Sequence, residues 1–382
     1  MKYLVFIGLA LWLNLALATN KAWQDIEKEA SGQTVYFNAW GGSDAVNAYI
    51  QWAAAQVKTL YGVQVRHVKI TDAAEVVKRI QTEVAAGRKT DGSVDLMWVN
   101  GENFRNLKTN GLLFGPWAEN VPNWPLVDLA KPVRVDFSVS TDGFELPWGT
   151  AQLTLIADRT KTPTPPRSAT EWLAFAKAHP ARLSYPKPPE FHGTTFLKQL
   201  LLELAPDPSV LQQPVKQKQF ETTTQVLWQY LDTLHPHLWR NGKAFPSSAA
   251  EMHRMLGDGE LLISISFNPN EAANLISKKQ LPSSVYSFGF TKGTIGNVHF
   301  VAIPVNARAK AGAQVFANFL LSPQAQAHKA DISVWGDGSV LKNVARPTAA
   351  GALSESVPTL PEPHASWVEA LELAWLQRYS TR

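Results

Sequence analysis

The sequence contains no cysteine, which excludes disulfide bonds, thiolate metal sites and thiol catalysis. It also lacks a run of basic residues, because its 36 Lys and Arg are scattered among 32 Asp and Glu and leave a net charge of +4. Nucleic acid is therefore not expected as a partner. Beyond residue 19 no stretch is long and apolar enough to cross a bilayer, so the remainder is expected to be soluble.

Motifs for catalysis and metal binding are missing as well. The sequence shows no nucleophile elbow, no HExxH string and no assembled catalytic acid-base pair. His235-Pro236-His237 has no third ligand at a suitable spacing, and Gly257-Asp258-Gly259 is too short for a nucleotide loop. We therefore predict no cofactor, no metal and no catalytic residue.

The first eighteen residues have the layout of an export signal. Lys2 supplies the charged start, Leu4 to Leu17 is almost wholly apolar, and small residues surround Ala18. A membrane anchor is the alternative, but the uncharged run is short for a bilayer. Since no cysteine is available to carry a lipid, we expect a cleaved, monomeric protein that is free in the bacterial periplasm.

Strands and helices alternate along the first third of the chain. Thr34 to Ala39 and Val63 to Ile70 are predicted as strands, and the intervening segment places Tyr49, Trp52 and Val57 on one helical face. The pattern continues to a third predicted strand, Val94 to Val99. Such alternation predicts a mainly parallel sheet, with ligands beyond the carboxyl ends of its strands.

The second half repeats the α/β pattern after a proline-rich crossing. We predict a helix from Glu171 to Ala178, a strand from Arg182 to Tyr185 and a helix from Phe196 to Leu204. A final helix is expected to bury Trp367, Val368, Leu371 and Trp375. A chain of this length is too long for one core, so two lobes with a cleft are expected.

The late segment is the most distinctive part of the sequence. Gly293 to Ala327, with Val301-Ala302-Ile303-Pro304 and the string Asn318 to Gln326, resembles extracellular solute-binding proteins of ABC importers. The opening Tyr36 to Gly42 and the stretch Gly257 to Pro269 resemble them too. Within that superfamily the chain is similar to thiamine, polyamine and iron receptors.

The resemblance implies a type II periplasmic-binding-protein fold, with two α/β lobes joined by hinge strands and a ligand cleft between them. It also implies partnership with a membrane permease and its ATPase. The expected division is a signal peptide at 1–18, lobe one at 19–146, lobe two at 147–290, a return to lobe one at 291–336, and a C-terminal segment at 337–382 that packs on lobe two.

Twelve residues are candidate ligand contacts. They lie at strand ends, helix starts and the expected hinge, where side chains and free backbone N–H groups can face a cleft. Each position also has an ordinary structural explanation as a cap, a packed aromatic or a solvated acid. The candidates are Trp40, Ser43, Asp44, Trp98, Asn100, Glu102, Trp148, Phe191, Thr194, Phe267, Asn268 and Trp335.

Aromatic residues combined with nearby acids suit an organic cation as the ligand. The 14 tryptophans could stack on an organic cation whose charge Glu102 or Asp44 neutralises, as a thiamine-like compound would require. A sugar could stack on the same rings. The eight tyrosines include no adjacent pair, which disfavours iron. A secreted hydrolase or transferase and a periplasmic sensor or scaffold are the alternative functions.

Overall fold

The computed structural model describes residues 23–344, 349–354 and 357–380 of the 382. The predicted export signal lies outside the described residues. In chain order the first half contains α1 (residues 23–30), β1 (Thr34–Trp40), α2 (Asp44–Tyr61), β2 (Gln64–Ile70), α3 (Ala73–Ala85), β3 (Leu96–Val99), α4 (Gly101–Thr109), β4 (Val135–Asp136), β5 (Val139–Ser140), β6 (Glu145–Gln152), β7 (Thr154–Asp158) and α5 (Ala169–Ala178).

The second half is richer in helix. It contains α6 (Phe191–Leu204), α7 (Gln217–Leu234), α8 (Ala249–Gly257), β8 (Ile263–Ser266), α9 (Glu271–Ser277), β9 (Val285–Phe288), β10 (Thr294–Ala302), α10 (Lys310–Leu320), α11 (Pro323–Ala330), β11 (Thr359–Leu360) and α12 (Ser366–Tyr379). Among the described residues no helix combines the length and apolarity that a membrane span requires.

The larger sheet has the strand order β11-β10-β3-β1-β2, and β6 pairs with the other side of β10. Strands β1, β2 and β3 are parallel, as the βαβ pattern predicted. The sheet is nevertheless mixed, because β10 returns from the distant part of the chain antiparallel to both β3 and β6. We call the body around this sheet lobe one.

The core of lobe one draws on segments far apart in sequence. Phe37 of β1, Tyr49 of α2, Phe300 of β10 and Phe316 of α10 are all fully buried in one apolar cluster. A second cluster on the opposite side of the sheet contains Phe104 of α4. Strand β10 and helix α10 therefore complete lobe one, and their apolar burial contributes to its stability.

The smaller sheet is antiparallel, with β7 between β8 and β9. Its core includes Trp172, Phe196, Trp367 and Trp375, and we call the body around it lobe two. The predicted strand at Arg182 to Tyr185 is wrong. That segment is buried but contacts irregular neighbours, with the Arg182 carbonyl accepting from the Leu262 N–H at 2.9 Å, so apolar residues there fill a core without joining a sheet.

The two lobes are connected through long strands and a returning C-terminal segment. β6 of lobe one is followed after Leu153 by β7 of lobe two, and β10 pairs with β6 across a bulge at His299/Phe300. Helix α12 buries Trp367, Val368, Leu371 and Trp375, as predicted, and contacts both α6 and α4. The C-terminal helix thus reaches the junction between the lobes.

Candidate ligand-binding site

The turn between β1 and α2 has helix-capping geometry. Ser43 is the N-cap of α2, and its Oγ accepts from the Val46 N–H at 3.5 Å. Asp44 is exposed in the first turn, and Trp40 is half-buried with its ring folded over Gly42. These contacts match the structural explanation of the turn, and a ligand role for the three residues stays a prediction.

The β3–α4 turn is hydrogen-bonded to β10, one of the long strands that connect the lobes. Asn100 is the N-cap residue of α4 but its side chain makes no cap bond. Instead its amide oxygen accepts from Trp98 Nε1 at 3.2 Å, and its Nδ2 donates to the Val298 carbonyl of β10 at 2.7 Å. Asn100 therefore fixes the Trp98 ring relative to the crossing strand.

Three of the candidate tryptophans form one aromatic cluster. The ring of Trp98 meets Trp148 edge-on at 5.0 Å, and Trp335 lies 5.6 Å from Trp148. His299 of β10 stacks on Trp335 at 6.3 Å and lies 5.0 Å from Trp98. Trp148 is 0% exposed and Trp335 is nearly so. The structure brings these residues together in the hinge, where their rings mainly contact one another.

A buried charge network lies beside this cluster. Lys329 Nζ is 2.5 Å from Asp337 Oδ2, and His299 Nε2 is 3.1 Å from Asp337 Oδ1. Burial by itself would raise the pKa of Asp337, but the Lys329 ammonium and His299 lower it below its usual value. The network connects α11, β10 and the loop after Trp335, and removing one of its members would leave an uncompensated buried charge in the hinge.

On lobe two, the candidate residues cluster at the start of α6 and the end of β8. Helix α6 begins at Phe191, one turn earlier than predicted, because the Glu190 carboxylate accepts from the N–H groups of His192 at 2.8 Å and Gly193 at 3.0 Å. Phe191 is 41% exposed and meets the buried Phe267 edge-on at 5.1 Å. These rings form an apolar rim.

Asn268 connects that rim with lobe one. Its Nδ2 donates to the Trp335 carbonyl at 3.0 Å and lies 3.3 Å from Glu271 Oε2. The neighbouring Asn270 Nδ2 donates to the Gly336 carbonyl at 2.6 Å. Both asparagines therefore hold the loop after α11 against the β8–α9 turn.

Two glutamates lie near each other where α4, α6 and α12 converge. Glu102 is in the first turn of α4, and Glu372 of α12 accepts from Thr194 Oγ1 of α6 at 2.8 Å. The pKa of each carboxyl is raised to about 7, mainly by burial, and for Glu102 the negative charges of Glu372 and Asp72 contribute to the rise. Within the described parts of the chain, neither glutamate has an ion-pair partner.

The cation whose charge acts on both glutamates, Lys198, is already paired. Lys198 of α6 is 1% exposed, and its Nζ lies 2.7 Å from Glu362 Oε2. Asn297 of β10 donates to the other oxygen of Glu362 at 3.1 Å. Because Glu362 neutralises Lys198, the region around Glu102 and Glu372 carries an excess of negative charge.

Over residues 23–344, 349–354 and 357–380, no group of three or more His, Asp or Glu side chains has an arrangement that could hold a metal ion. The cluster of Glu190, His192, His253 and Glu271 is held by internal contacts. His192 Nδ1 lies 2.7 Å from Glu190 Oε1, and His253 Nδ1 lies 2.8 Å from Ser264 Oγ. Burial lowers the pKa of His253 to about 3, so this imidazole is neutral.

Sequence reasoning missed Glu372, Lys198, Glu362 and the Lys329–Asp337 pair. Glu372 lies on an amphipathic helix next to Leu371, and a single acid there is typical of a solvated face. Its partner Thr194 is 178 positions away in the chain. No local pattern connects residues at that separation, so only the packing of α12 against α6 could identify this site.

Comparison with known proteins shows the family. Residues 52–360 match the family model described as "Bacterial extracellular solute-binding protein". The chain is also 55% identical over 373 residues to "Protein YnjB" of Escherichia coli strain K12. This match covers 96% of this chain and 96% of that protein.

Solved structures with the same fold are periplasmic binding proteins. The fructose-6-phosphate-bound AfuA of Actinobacillus pleuropneumoniae has a TM-score of 0.65 at 14% identity and covers 92% of this chain and 100% of its own. The spermidine/putrescine substrate-binding protein PotD of Streptococcus pneumoniae has a TM-score of 0.64 at 13% identity, with 91% and 99% covered. These matches confirm the predicted type II periplasmic-binding fold.

Proposed function

This chain belongs to the bacterial extracellular solute-binding proteins, the substrate-binding components of ABC transporters, and we propose that its ligand is an organic cation held between the lobes. Proteins of this family bind small solutes and work with permease and ATPase components. They are not enzymes, so the secreted hydrolase or transferase alternative is rejected.

The cation proposal rests on two acidic side chains without an ion-pair partner among the described residues, Glu102 and Glu372, which we call the acid pair. Glu102 lies on α4 of lobe one and Glu372 lies on α12. The negative charge of Asp72 raises the pKa of both carboxyls. Burying like charges without a counter-ion is unfavourable, and a ligand cation removes that cost. The Lys198 ammonium lowers the pKa of both glutamates, but its Nζ is hydrogen-bonded to Glu362 and forms a direct ion pair with neither of them.

The apolar rim of Phe191 and Phe267 can contact the uncharged part of an organic cation. The exposed Phe191 lies three residues before Thr194, whose hydroxyl already bonds Glu372. A cation over an aromatic face gains about 0.5 to 2 kcal/mol, and more as water is excluded. A thiamine-like or polyamine-like compound combines positive charge with surface that these rings can cover.

An anionic ligand fits this site poorly. AfuA binds fructose-6-phosphate, but a phosphate here would face Glu102 and Glu372 while the neighbouring Lys198 is already paired. PotD is a spermidine/putrescine receptor, which agrees in charge with the acid pair. A neutral sugar would leave both carboxyls without a counter-ion.

We further propose that capture closes the lobes in the periplasm, after cleavage of the export signal, and that the permease accepts the closed form. The bonds from Asn268 to the Trp335 carbonyl and from Asn270 to the Gly336 carbonyl support a lobe-two contact at the hinge loop. Moving a closed population from one per cent to ninety-nine per cent takes about 5.5 kcal/mol of preferential binding. Charge-assisted bonds to two carboxylates and aromatic contact supply energies of that order.

Both carboxylates of the acid pair should contribute to the affinity for a cation. In a thermal-shift and calorimetry panel of thiamine, putrescine, spermidine, choline, glucose and fructose-6-phosphate, we expect a cation to bind. Glu102→Gln and Glu372→Gln should each weaken that binding by about tenfold or more, because one charge-assisted contact of roughly 1.5 to 3 kcal/mol is lost.

Glu29→Gln is the control, since Glu29 is an exposed acid on α1, which precedes the start of β1, whereas Glu102 follows the end of β3. It should leave the affinity unchanged. Stabilisation by glucose or fructose-6-phosphate without stabilisation by any cation would overturn the proposed ligand class, and an equal loss in all three variants would show that the effect is not local.

A further inference from the structure

A short hairpin of lobe one inserts its tip into lobe two. Strands β4 and β5 pair only with each other, and the two residues between them, Phe137 and Ser138, have positive φ values of 41° and 61°. Neither residue is glycine, so this left-handed conformation is strained and needs surrounding contacts to persist. Many of the contacts that hold the tip come from the other lobe.

Phe137 fills an apolar socket on the C-terminal helix. Its ring is 4% exposed and forms a small cluster with Ala365 and Val368, separate from the main cores of both lobes. The Lys198 ammonium lies 4.4 Å from the centre of the ring, and the Phe137 carbonyl accepts from the Ala365 N–H at 3.0 Å. These lobe-two groups cover one side of the ring.

Ser138 adds hydrogen bonds to the same socket. Its Oγ lies 2.8 Å from Gln212 Oε1 and 3.3 Å from the Glu362 carbonyl oxygen. The socket itself is fixed to lobe two, because Trp367 Nε1 donates to the Gln213 carbonyl and Trp375 Nε1 donates to Tyr185 Oη, both at 2.9 Å. The tip thus docks on a rigid surface.

The residue that precedes the tip contacts the acid site. The Asp136 carboxylate accepts from the Gly101 N–H at 2.5 Å, immediately before Glu102. Gly101 has φ +59°, and a Cβ there would lie 2.6 Å from the Phe137 ring, so the ring packs directly on the turn that presents Glu102. Phe137 therefore lies between the Glu102 turn of lobe one and Lys198 of lobe two.

We propose that the tip Phe137–Ser138 is an interlobe latch that positions Glu102 against α6 and α12 and stabilises the closed form. This inference rests on the proposed lobe closure. Opening the lobes would expose the Phe137 ring and break the Ser138–Gln212 bond, so the latch favours closure and raises ligand affinity without contacting the ligand.

The test measures the distance between lobes directly. Because the chain has no cysteine, Leu60→Cys on α2 and Gln225→Cys on α7, both exposed, provide two unique dye sites. In Phe137→Ala we expect a longer interlobe distance in single-molecule energy transfer without ligand, and about fivefold to tenfold weaker binding of thiamine or putrescine, whichever the wild type binds. Phe137→Leu should restore most of the closed population.

Val135→Ala is the matched control, because Val135 is an exposed apolar residue on the same hairpin. It should behave as wild type in both measurements. If Phe137→Ala does not fold, Ser138→Ala and Gln212→Leu remove the same bond from either side; each should open the lobes slightly, and the double variant should do no more than either single one.

Different outcomes would refute the proposed lobe closure and the proposed latch. If the wild-type distance does not shorten with any bound cation, the proposed closure is wrong. If the wild type closes but Phe137→Ala, or the Ser138 and Gln212 variants, keep wild-type distances and affinity, closure stands and the latch is refuted.

Discussion

Two carboxyl groups with pKa values of about 7 dominate the chemistry of the site at the scale of single residues. Burial is the main cause for both Glu102 and Glu372. Near neutral pH each group is only partly ionised in the ligand-free protein. Since a cation binds the ionised form, ligand binding and proton release are linked.

This linkage gives a pH prediction. Below pH 7 both carboxyls become protonated, so the dissociation constant for a cation should rise, by up to about tenfold per pH unit for each carboxyl that must ionise. Above about pH 8 the affinity should level off. Calorimetry between pH 5.5 and 8.5 in buffers of different ionisation enthalpy would measure both the affinity and the protons released.

The Glu102→Gln variant is the internal check, because it has one titrating group fewer and should show a shallower dependence on pH. A wild-type affinity that is flat from pH 5.5 to 8.5 would contradict the assignment of these carboxyls to the ligand.

The local sequence could not predict whether the candidate tryptophans line a cleft or pack in the interior. A tryptophan after a proline at a hinge suits either a cleft wall or a packed interior, and the sequence around Trp148 is compatible with both. In the structure Trp148 is enclosed by Tyr49, Trp98 and Trp335. The choice depends on neighbours contributed by separate segments, so periodicity around Trp148 could not decide it.

At the scale of elements, the position of a helix start decides which side chains face the cleft. The sequence predicted α6 from Phe196, whereas the helix begins at Phe191 with Glu190 as its N-cap. The early start is possible because Gly193 packs against the Pro186 carbonyl, where a Cβ would lie only 2.0 Å from the oxygen. Phe191 and Thr194 therefore occupy the first turn, with Phe191 against Phe267 and Thr194 against α12.

The cap provides a prediction about α6. Glu190→Ala removes the acceptor for the His192 and Gly193 N–H groups, so the free energy of unfolding should fall by about 1 kcal/mol. Cation affinity should fall as well, because the first turn of α6 carries Thr194. Urea denaturation and calorimetry measure the two effects separately.

Ser248→Ala is the control for that prediction. Ser248 caps α8 by accepting from the Glu251 N–H at 3.2 Å, away from the acid pair. It should reproduce the loss of stability and leave the affinity unchanged. Equal affinities in the two variants would show that the first turn of α6 is not part of the site.

At the scale of the whole molecule, lobe one is assembled from both ends of the chain. Strand β10 lies between β3 and β6, and Phe300 and Phe316 complete the core around Phe37. Without the residues after 290, the larger sheet loses a central strand and a large part of its buried apolar surface.

A fragment of residues 19–290 should therefore lack cooperative structure in lobe one. We expect its near-ultraviolet circular dichroism and thermal transition to be largely lost relative to the full chain, and adding residues 291–382 as a separate polypeptide to restore part of the signal. A fragment that unfolds as cooperatively as the full chain would show that β10 is dispensable.

The sequence by itself determined the elements that depend on near neighbours: the βαβ start, the cap at Ser43, the apolar face of α12 and the family string from Gly293 to Ala327. These are encoded in spacings of a few residues, which periodicity and capping rules detect. The predicted lobe boundaries stay a prediction, although the two cores agree with two lobes.

Only the tertiary structure decided which residues meet. It placed Glu372 beside Thr194, the Phe137 ring between Gly101 and Lys198, and the tryptophans in the hinge. The physical reason is that these contacts join segments tens to hundreds of residues apart. Their partners are selected by the packing of whole helices and strands, to which no short stretch of sequence is sensitive.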